Sequence, residues 1–235
     1  MKIVSYGGGV NSTAMTIYLI NNGIVPDLIL FCDTGAELPE TLEYVDYFSA
    51  WLRQKASIEI TTIRKDGEGL YDYCIRKKII PMRQWRWCTI DWKIKPFDKY
   101  LKRFDGEKIV YIGYDAGEDG RVVNSLMKDC KRNRKEFPLH EANIDREGCI
   151  KIIESTGLRL PPKSGCFVCP FTKRSAFREM KRNNPVLFRK VVELENNCAS
   201  GRVLRQGYPL KDIDNQCEIS FDYDTPMPCG CYDGE

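Results

Sequence analysis

Apolar residues in this chain come in short runs separated by polar stretches with helical spacing. Runs at residues 2–5, 28–32, 58–63 and 109–112 read as buried strands. Residues 11–21 read as a helix, with Gly23 placed as its C-terminal stop. Pro39 suits a first helical turn and is followed by Leu42, Val45, Phe48 and Leu52 at helical intervals. Further helical patterns lie at 95–104 and 121–128. Strands alternating with helices predict an α/β fold with a doubly wound, mostly parallel sheet. Ligands of such sheets bind outside the carboxyl ends of the strands, so the loops 6–11, 33–35 and 113–121 are expected to gather there.

The character changes past Gly157. Pro161-Pro162-Lys163-Ser164-Gly165 reads as a linker into Cys166-Phe167-Val168-Cys169-Pro170. Helical patterns follow Thr172 and Asn184-Pro185, and residues 219–235 read as irregular. The expected division is an α/β domain at 1–160 and a small helical Cys-x-x-Cys region at 161–235 packed on it.

The segment Ser5-Tyr6-Gly7-Gly8-Gly9-Val10-Asn11-Ser12 leaves the first strand and opens the first helix. Glycines there let the chain turn tightly and aim its N–H groups at an anion. The helix N-terminus adds partial positive charge, and the Ser12 hydroxyl can donate to a phosphate oxygen. No Gly-Lys-Ser/Thr closes the loop, so it is not a Walker A sequence.

Composition narrows the picture only slightly. The net charge of +3 is too small to argue for nucleic acid by itself, although basic residues cluster at 83–102, 128–135 and 173–182. No run reaches the roughly 18 apolar residues of a membrane span, and the start lacks a secretory signal, so a cytoplasmic location without membrane contact is expected. Eleven cysteines beside a single histidine, His140, point to metal or redox chemistry built on thiolates. Cys166 and Cys169 sit in a glycine- and proline-flanked knuckle suited to two thiolates on one metal centre. Cys32 and Cys149 fall in apolar patterns and are expected in the core.

The glycine loop resembles the Ser-Gly-Gly-x-Asp-Ser PP-loop of ATP pyrophosphatases and PAPS reductases, with Gly7 in place of the serine and Asn11 in place of the aspartate. The likeness continues in order along the chain. Phe31-Cys32-Asp33-Thr34-Gly35 with Pro39-Glu40-Thr41 resembles the segment beside the nucleotide, and Arg86-Trp87-Cys88-Thr89 with Lys93 and Pro96 resembles the Cys-Cys-x-x-x-Lys-x-x-Pro stretch. Gly113 with Arg121 resembles the loop that holds substrate phosphate or sulfate, Tyr114 standing where its first arginine is expected. This resemblance implies a PP-loop, HUP-like fold. It implies an adenine nucleotide (ATP, or APS or PAPS) held by Ser5, Gly7, Gly8, Gly9, Asn11, Ser12, Asp33, Thr34, Gly35 and Gly113, with Mg²⁺ and with Lys93 and Arg121 stabilising charge.

Iron–sulfur APS reductases have a similar cysteine layout, which implies Cys88, Cys166 and Cys169 as ligands of a [4Fe-4S] cluster. Cys229 and Cys231 of the tail are the first candidates for a fourth ligand, Cys231 being the one assigned to the cluster, followed by Cys198, Cys74 and Cys217. A zinc site competes, since soft thiolates serve both metals. PAPS reductases also carry a nucleophilic tail cysteine, and Pro228-Cys229-Gly230-Cys231 resembles it, giving Cys231 a second reading as an exposed attacking thiolate. Three functions follow. In the first, ATP adenylylates an acceptor and sulfur then displaces AMP, as resemblance to the DNA-phosphorothioation and tRNA-thiolating members implies, with nucleic acid as acceptor and a sulfur donor protein as partner. In the second, a thiolate reduces APS or PAPS. The third is an inactive nucleotide-binding zinc module.

Overall fold

The computed structural model describes residues 1–127, 133–205 and 207–215. In chain order it runs β1 (Lys2–Tyr6), α1 (Val10–Asn21), β2 (Leu28–Asp33), α2 (Pro39–Ala56), β3 (Ile60–Arg64), α3 (Leu70–Lys77) and the short α4 (Trp87–Thr89). A π-helical turn, Ile90–Ile94, leads into α5 (Lys95–Leu101), β4 (Lys108–Ile112), α6 (Asp119–Leu126) and β5 (Asn133–Glu136). Then come α7 (Pro138–Glu141), α8 (Arg146–Glu154), α9 (Arg174–Asn183), α10 (Pro185–Asn197) and a 3₁₀ stretch, Leu210–Asn215.

The five strands form one sheet in the order β3-β2-β1-β4-β5, every pair parallel. The doubly wound α/β expectation holds. Strand order reverses between β2 and β4 on either side of β1, which puts the switch point at the carboxyl end of β1.

Side chains along β1, β2 and β4 divide between two dry faces. Val4 registers with Ile29 and Tyr111, and all three join the core under α1, α2 and α8 with Ala14, Phe48 and Ile153. Ile3, Leu30, Val110 and Ile112 face the other way, against Phe97, Leu101 and Val122 of α5 and α6. Burial on both faces is why these strands read as continuous apolar runs. Cys32 and Cys149 are buried as expected.

A third cluster joins α9 and α10 (Phe177, Val191 and Leu194) to Leu70 and Cys74 of α3, to Trp92 of the π-turn and to Phe167 and Val168 of the knuckle. Its members lie on both sides of residue 160. Asn184 caps α10, accepting from Leu187 N–H at 3.1 Å, with Pro185 at the first helical position. Among the described residues no helix is long and apolar enough to cross a membrane.

Candidate active site

The loop after β1 is built as its glycines allow. Gly8 has a φ of 72°, and a Cβ there would lie 2.9 Å from Thr41 Cγ2 on α2. Gly9 ends the loop in extended geometry, so the first N–H groups of the twelve-residue α1 have no intrahelical partner and face out beyond the sheet. The Ser12 hydroxyl works inside the loop: it donates to Gly9 C=O at 3.1 Å and accepts from Gly7 N–H at 3.2 Å. A phosphate would therefore meet a loop already closed on itself.

Gly113 follows β4 and lies directly against α1. A Cβ there would stand 2.9 Å from Ser12 N and 3.0 Å from the Asn11 carbonyl carbon and oxygen. This close approach brings the 113–121 loop to Asn11. The Asn11 amide donates to Asp115 Oδ2 at 2.9 Å and to Glu118 Oε2 at 3.1 Å. Its oxygen accepts from Arg146 Nη1 at 2.7 Å. Acceptors on one side and a donor on the other fix which way the amide points. Two carboxylates of the neighbouring loop thus lie against the amide at position 11. Arg121 pairs with Glu118 and lies 4.2 Å over the Tyr114 ring, while Tyr114 is buried and stacks on Phe137 at 5.5 Å.

On the β2 side, Asp33 is buried, accepts from Gly35 N–H at 2.7 Å and pairs with Arg64. Gly35, with a φ of 73°, passes within 2.9 Å (as a Cβ) of Gly69 Cα, so only glycine fits there. Thr34 donates its hydroxyl proton to Glu37 Oε1 at 3.1 Å. The same oxygen receives Lys93 Nζ at 3.2 Å and lies 3.4 Å from Cys166 Sγ. Glu37 is nearly inaccessible and ties three of the expected site residues together.

The knuckle is docked by main chain. Leu38 N–H bonds to Gly165 C=O at 2.9 Å and Phe167 N–H to Ala36 C=O at 2.8 Å, a short antiparallel bridge between Glu37 and Cys166. The linker crosses the glycine loop, since a Cβ on Gly9 would meet Ser164 Oγ at 2.8 Å. The structure thus gathers the glycine loop, Thr34, Lys93 and Cys166 at the carboxyl edge of β1 and β2. Asn11, Gly113 and Arg121 lie on its β4 side.

The metal residues assemble less completely. Cys88 lies in α4, and it and Cys166 both border the third cluster. Cys169 N–H bonds to Cys166 C=O at 3.1 Å, forming the knuckle turn. Among the described residues, no group of three or more His, Cys, Asp or Glu side chains is placed to hold a metal ion. Cys217, Cys229 and Cys231 lie outside the described residues. Sequence reasoning missed Glu37, Asp115, Glu118 and Arg146. An acid two residues past Gly113 was the signal for Asp115; nothing in the sequence marked the other three.

Residues 2–121, just over half of the 235, match the phosphoadenosine phosphosulfate reductase domain. The chain belongs to that family. Two uncharacterized proteins of Methanocaldococcus jannaschii are 26% and 23% identical to it, covering 81% and 90% of the chain. The chain spans 46% and 45% of those proteins, about half their length. An uncharacterized 37.8 kDa protein of Escherichia phage 186 is 23% identical over 85% of the chain and 76% of its own length. Among solved structures, the U34-tRNA thiolase NcsA from Methanococcus maripaludis, with its [4Fe-4S] cluster, is 15% identical with a TM-score of 0.49. That likeness covers 98% of this chain and 79% of the thiolase.

Proposed function

We propose that this family member binds ATP with its phosphates over the glycine loop and adenylylates an acceptor that then takes sulfur. The acceptor oxygen attacks the α-phosphorus, the bond to the bridging oxygen breaks, and pyrophosphate leaves with that electron pair. A sulfur nucleophile, delivered by a donor protein, then displaces AMP. Main-chain amides of the loop and of the first turn of α1 meet the developing charge, while Lys93 and Arg121 orient the phosphates. Mg²⁺ enters with the nucleotide as MgATP.

One observation carries the reading: Ser164 of the linker rests on Gly9, and the next residues place Cys166 beside Thr34, Glu37 and Lys93. A thiol is thereby fixed at the rim of the nucleotide cradle. A [4Fe-4S] cluster on Cys88, Cys166, Cys169 and Cys231, with zinc as its competitor, is a further proposal read from iron, sulfide and zinc content; no step above runs through it.

The test is calorimetry on anaerobically purified protein with MgATP, APS and PAPS in turn, followed by product assays. ATP binding with pyrophosphate release in the presence of an acceptor supports the reading. Sulfite release from APS or PAPS replaces it with sulfonucleotide reduction, and the absence of binding heat with all three nucleotides overturns it.

A further inference from the structure

The segment between α3 and the π-turn carries features that the nucleotide cradle does not use. Residues 73–90 contain no acid, and five cations, Arg76, Lys77, Lys78, Arg83 and Arg86, fall among them. Residues 196–211 also contain no acid and carry Arg202, Arg205 and Lys211. These two segments wall a cavity of about 320 Å³ lined by Tyr73, Met82, Trp85, Trp87, Asp91 and Arg202 among others.

The cavity is aromatic and partly rigid. Trp87 packs edge-on against Trp92 at 5.8 Å and against Tyr73 at 6.0 Å, forming a fixed wall. Trp85 lines the same cavity with 61% of its surface exposed, an unusual cost for so large an apolar ring. Arg86, between the two tryptophans, holds a left-handed φ of 44° that non-glycine residues rarely adopt. Arg202 lies 5.7 Å from the Trp85 ring centroid and reaches Met82 Sδ at 3.3 Å. A second cavity of about 570 Å³ meets the first at Asp91 and is lined by Arg64, Lys65, Lys95, Lys99 and Arg103. Asp91 pairs with Lys95, Asp66 with Lys99 and Asp33 with Arg64, while Lys65 lies 3.6 Å over the Trp92 ring and Arg103 4.7 Å over the Tyr100 ring.

An aromatic-lined cavity with an exposed indole, next to a groove that carries cations, matches one occupant: an unpaired base whose sugar–phosphate chain continues along the groove. Stacking on tryptophan is available to every base face, and Lys65, Arg103 and Arg202 take the phosphates. A duplex, with its bases stacked inside, cannot fill the cavity.

We propose that this cavity and groove bind single-stranded nucleic acid, with one base stacked on the exposed Trp85 ring. The proposal names the acceptor class for the sulfur transfer above and to that extent rests on that reading. The binding itself needs no ATP, so the two can fail separately.

The test is fluorescence anisotropy of labelled 12-mers, as single-stranded RNA, single-stranded DNA of the same sequence and the corresponding duplex, at 50–200 mM salt without nucleotide. Single strands of either sugar are expected to bind and to quench tryptophan emission. Trp85→Ala weakens binding about tenfold and Trp85→Phe much less, as loss of one stacked base requires. Arg103→Ala and Arg202→Ala each flatten the salt dependence by about 0.7 in log–log slope. Because Trp85 is exposed, an unchanged unfolding midpoint verifies that the variant folds. No binding of single strands at 50 mM salt overturns the proposal. So does equal affinity for duplex, wild-type affinity in a folded Trp85→Ala, or equal competition by polyglutamate.

Discussion

Asn11 offers the sharpest check on how the site is charged. Restoring the aspartate of the PP-loop pattern, Asn11→Asp, looks like a repair, but the structure predicts damage. The new carboxylate would face Asp115 Oδ2 and Glu118 Oε2, which now sit 2.9 and 3.1 Å from the Asn11 amide nitrogen, with only Arg146 in attraction. With charge centres at roughly 4 Å and an effective dielectric of about 20, each pair is worth about 4 kcal/mol, and two repulsions against one attraction leave a net cost near that figure. Taking a proton relieves part of it, so the expected loss is about 2–4 kcal/mol at neutral pH. The sign with pH follows. The crowded carboxyl titrates above its unfolded value, so the deficit is small below the ordinary carboxylate range and grows as pH rises through the folded value. Urea unfolding at pH 5 and pH 7.5 measures this, and ATP affinity is expected to fall with stability. Exchanging the two groups, Asn11→Asp with Asp115→Asn, restores amide facing carboxylate and recovers most of the loss, a coupling above about 1 kcal/mol in a double-mutant cycle. If Asn11→Asp is as stable as wild type at pH 7.5, or the two changes simply add, the account of this network is wrong.

Other consequences are more local. Gly113→Ala forces a methyl against the main chain of Asn11 and Ser12, so it should cost about 1–3 kcal/mol in chemical denaturation and abolish calorimetric ATP binding. Burial pushes the Cys74 and Cys149 thiols up to about 12, so timed iodoacetamide labelling at pH 8 read by mass spectrometry should modify the partly exposed Cys88, Cys166 and Cys169 first. Burial also pushes the Glu195 carboxyl up, although N–H groups of Leu204 and Leu210 pull it down. Its support for the fold is therefore greatest at acid pH and lost as pH rises through the folded value. The stability of wild type relative to Glu195→Gln should decline along the same pH series.

What was legible in the sequence tracks what burial demands. β1, β2 and β4 are covered on both faces, and their apolar runs announced them to within a residue. Among the described residues β5 pairs only with β4, and it reads Asn-Arg-Lys-Glu, an edge strand whose polar side chains hide it from any hydrophobic pattern. α3 and α8 were missed because each is short, with a narrow apolar stripe set by Cys74 or by Cys149 and Ile153. In the site, glycines were readable because tight turns and close approaches constrain residue type. Glu37, Glu118 and Arg146 were not, since a surface acid or base looks the same in sequence as one folded inward. Arg146 meets Asn11 across 135 positions, a contact set by the packing of α8 on α1.

These hidden partners change how an anion would be held. Each cation that the motifs assign to phosphate is already matched: Lys93 by Glu37, Arg121 by Glu118, and the neighbouring Arg64 by Asp33. A triphosphate arriving here meets guanidinium and ammonium groups whose charge is largely offset, beside acids that repel it. Attraction must then come mainly from groups no acid has neutralised, the main-chain amides of the glycine loop and the open first turn of α1. Much of the remaining positive charge must travel with the nucleotide as Mg²⁺. On this reasoning, neutralising Lys93 removes orientation more than affinity, whereas any side chain that closes the gap between Gly113 and α1 removes affinity itself.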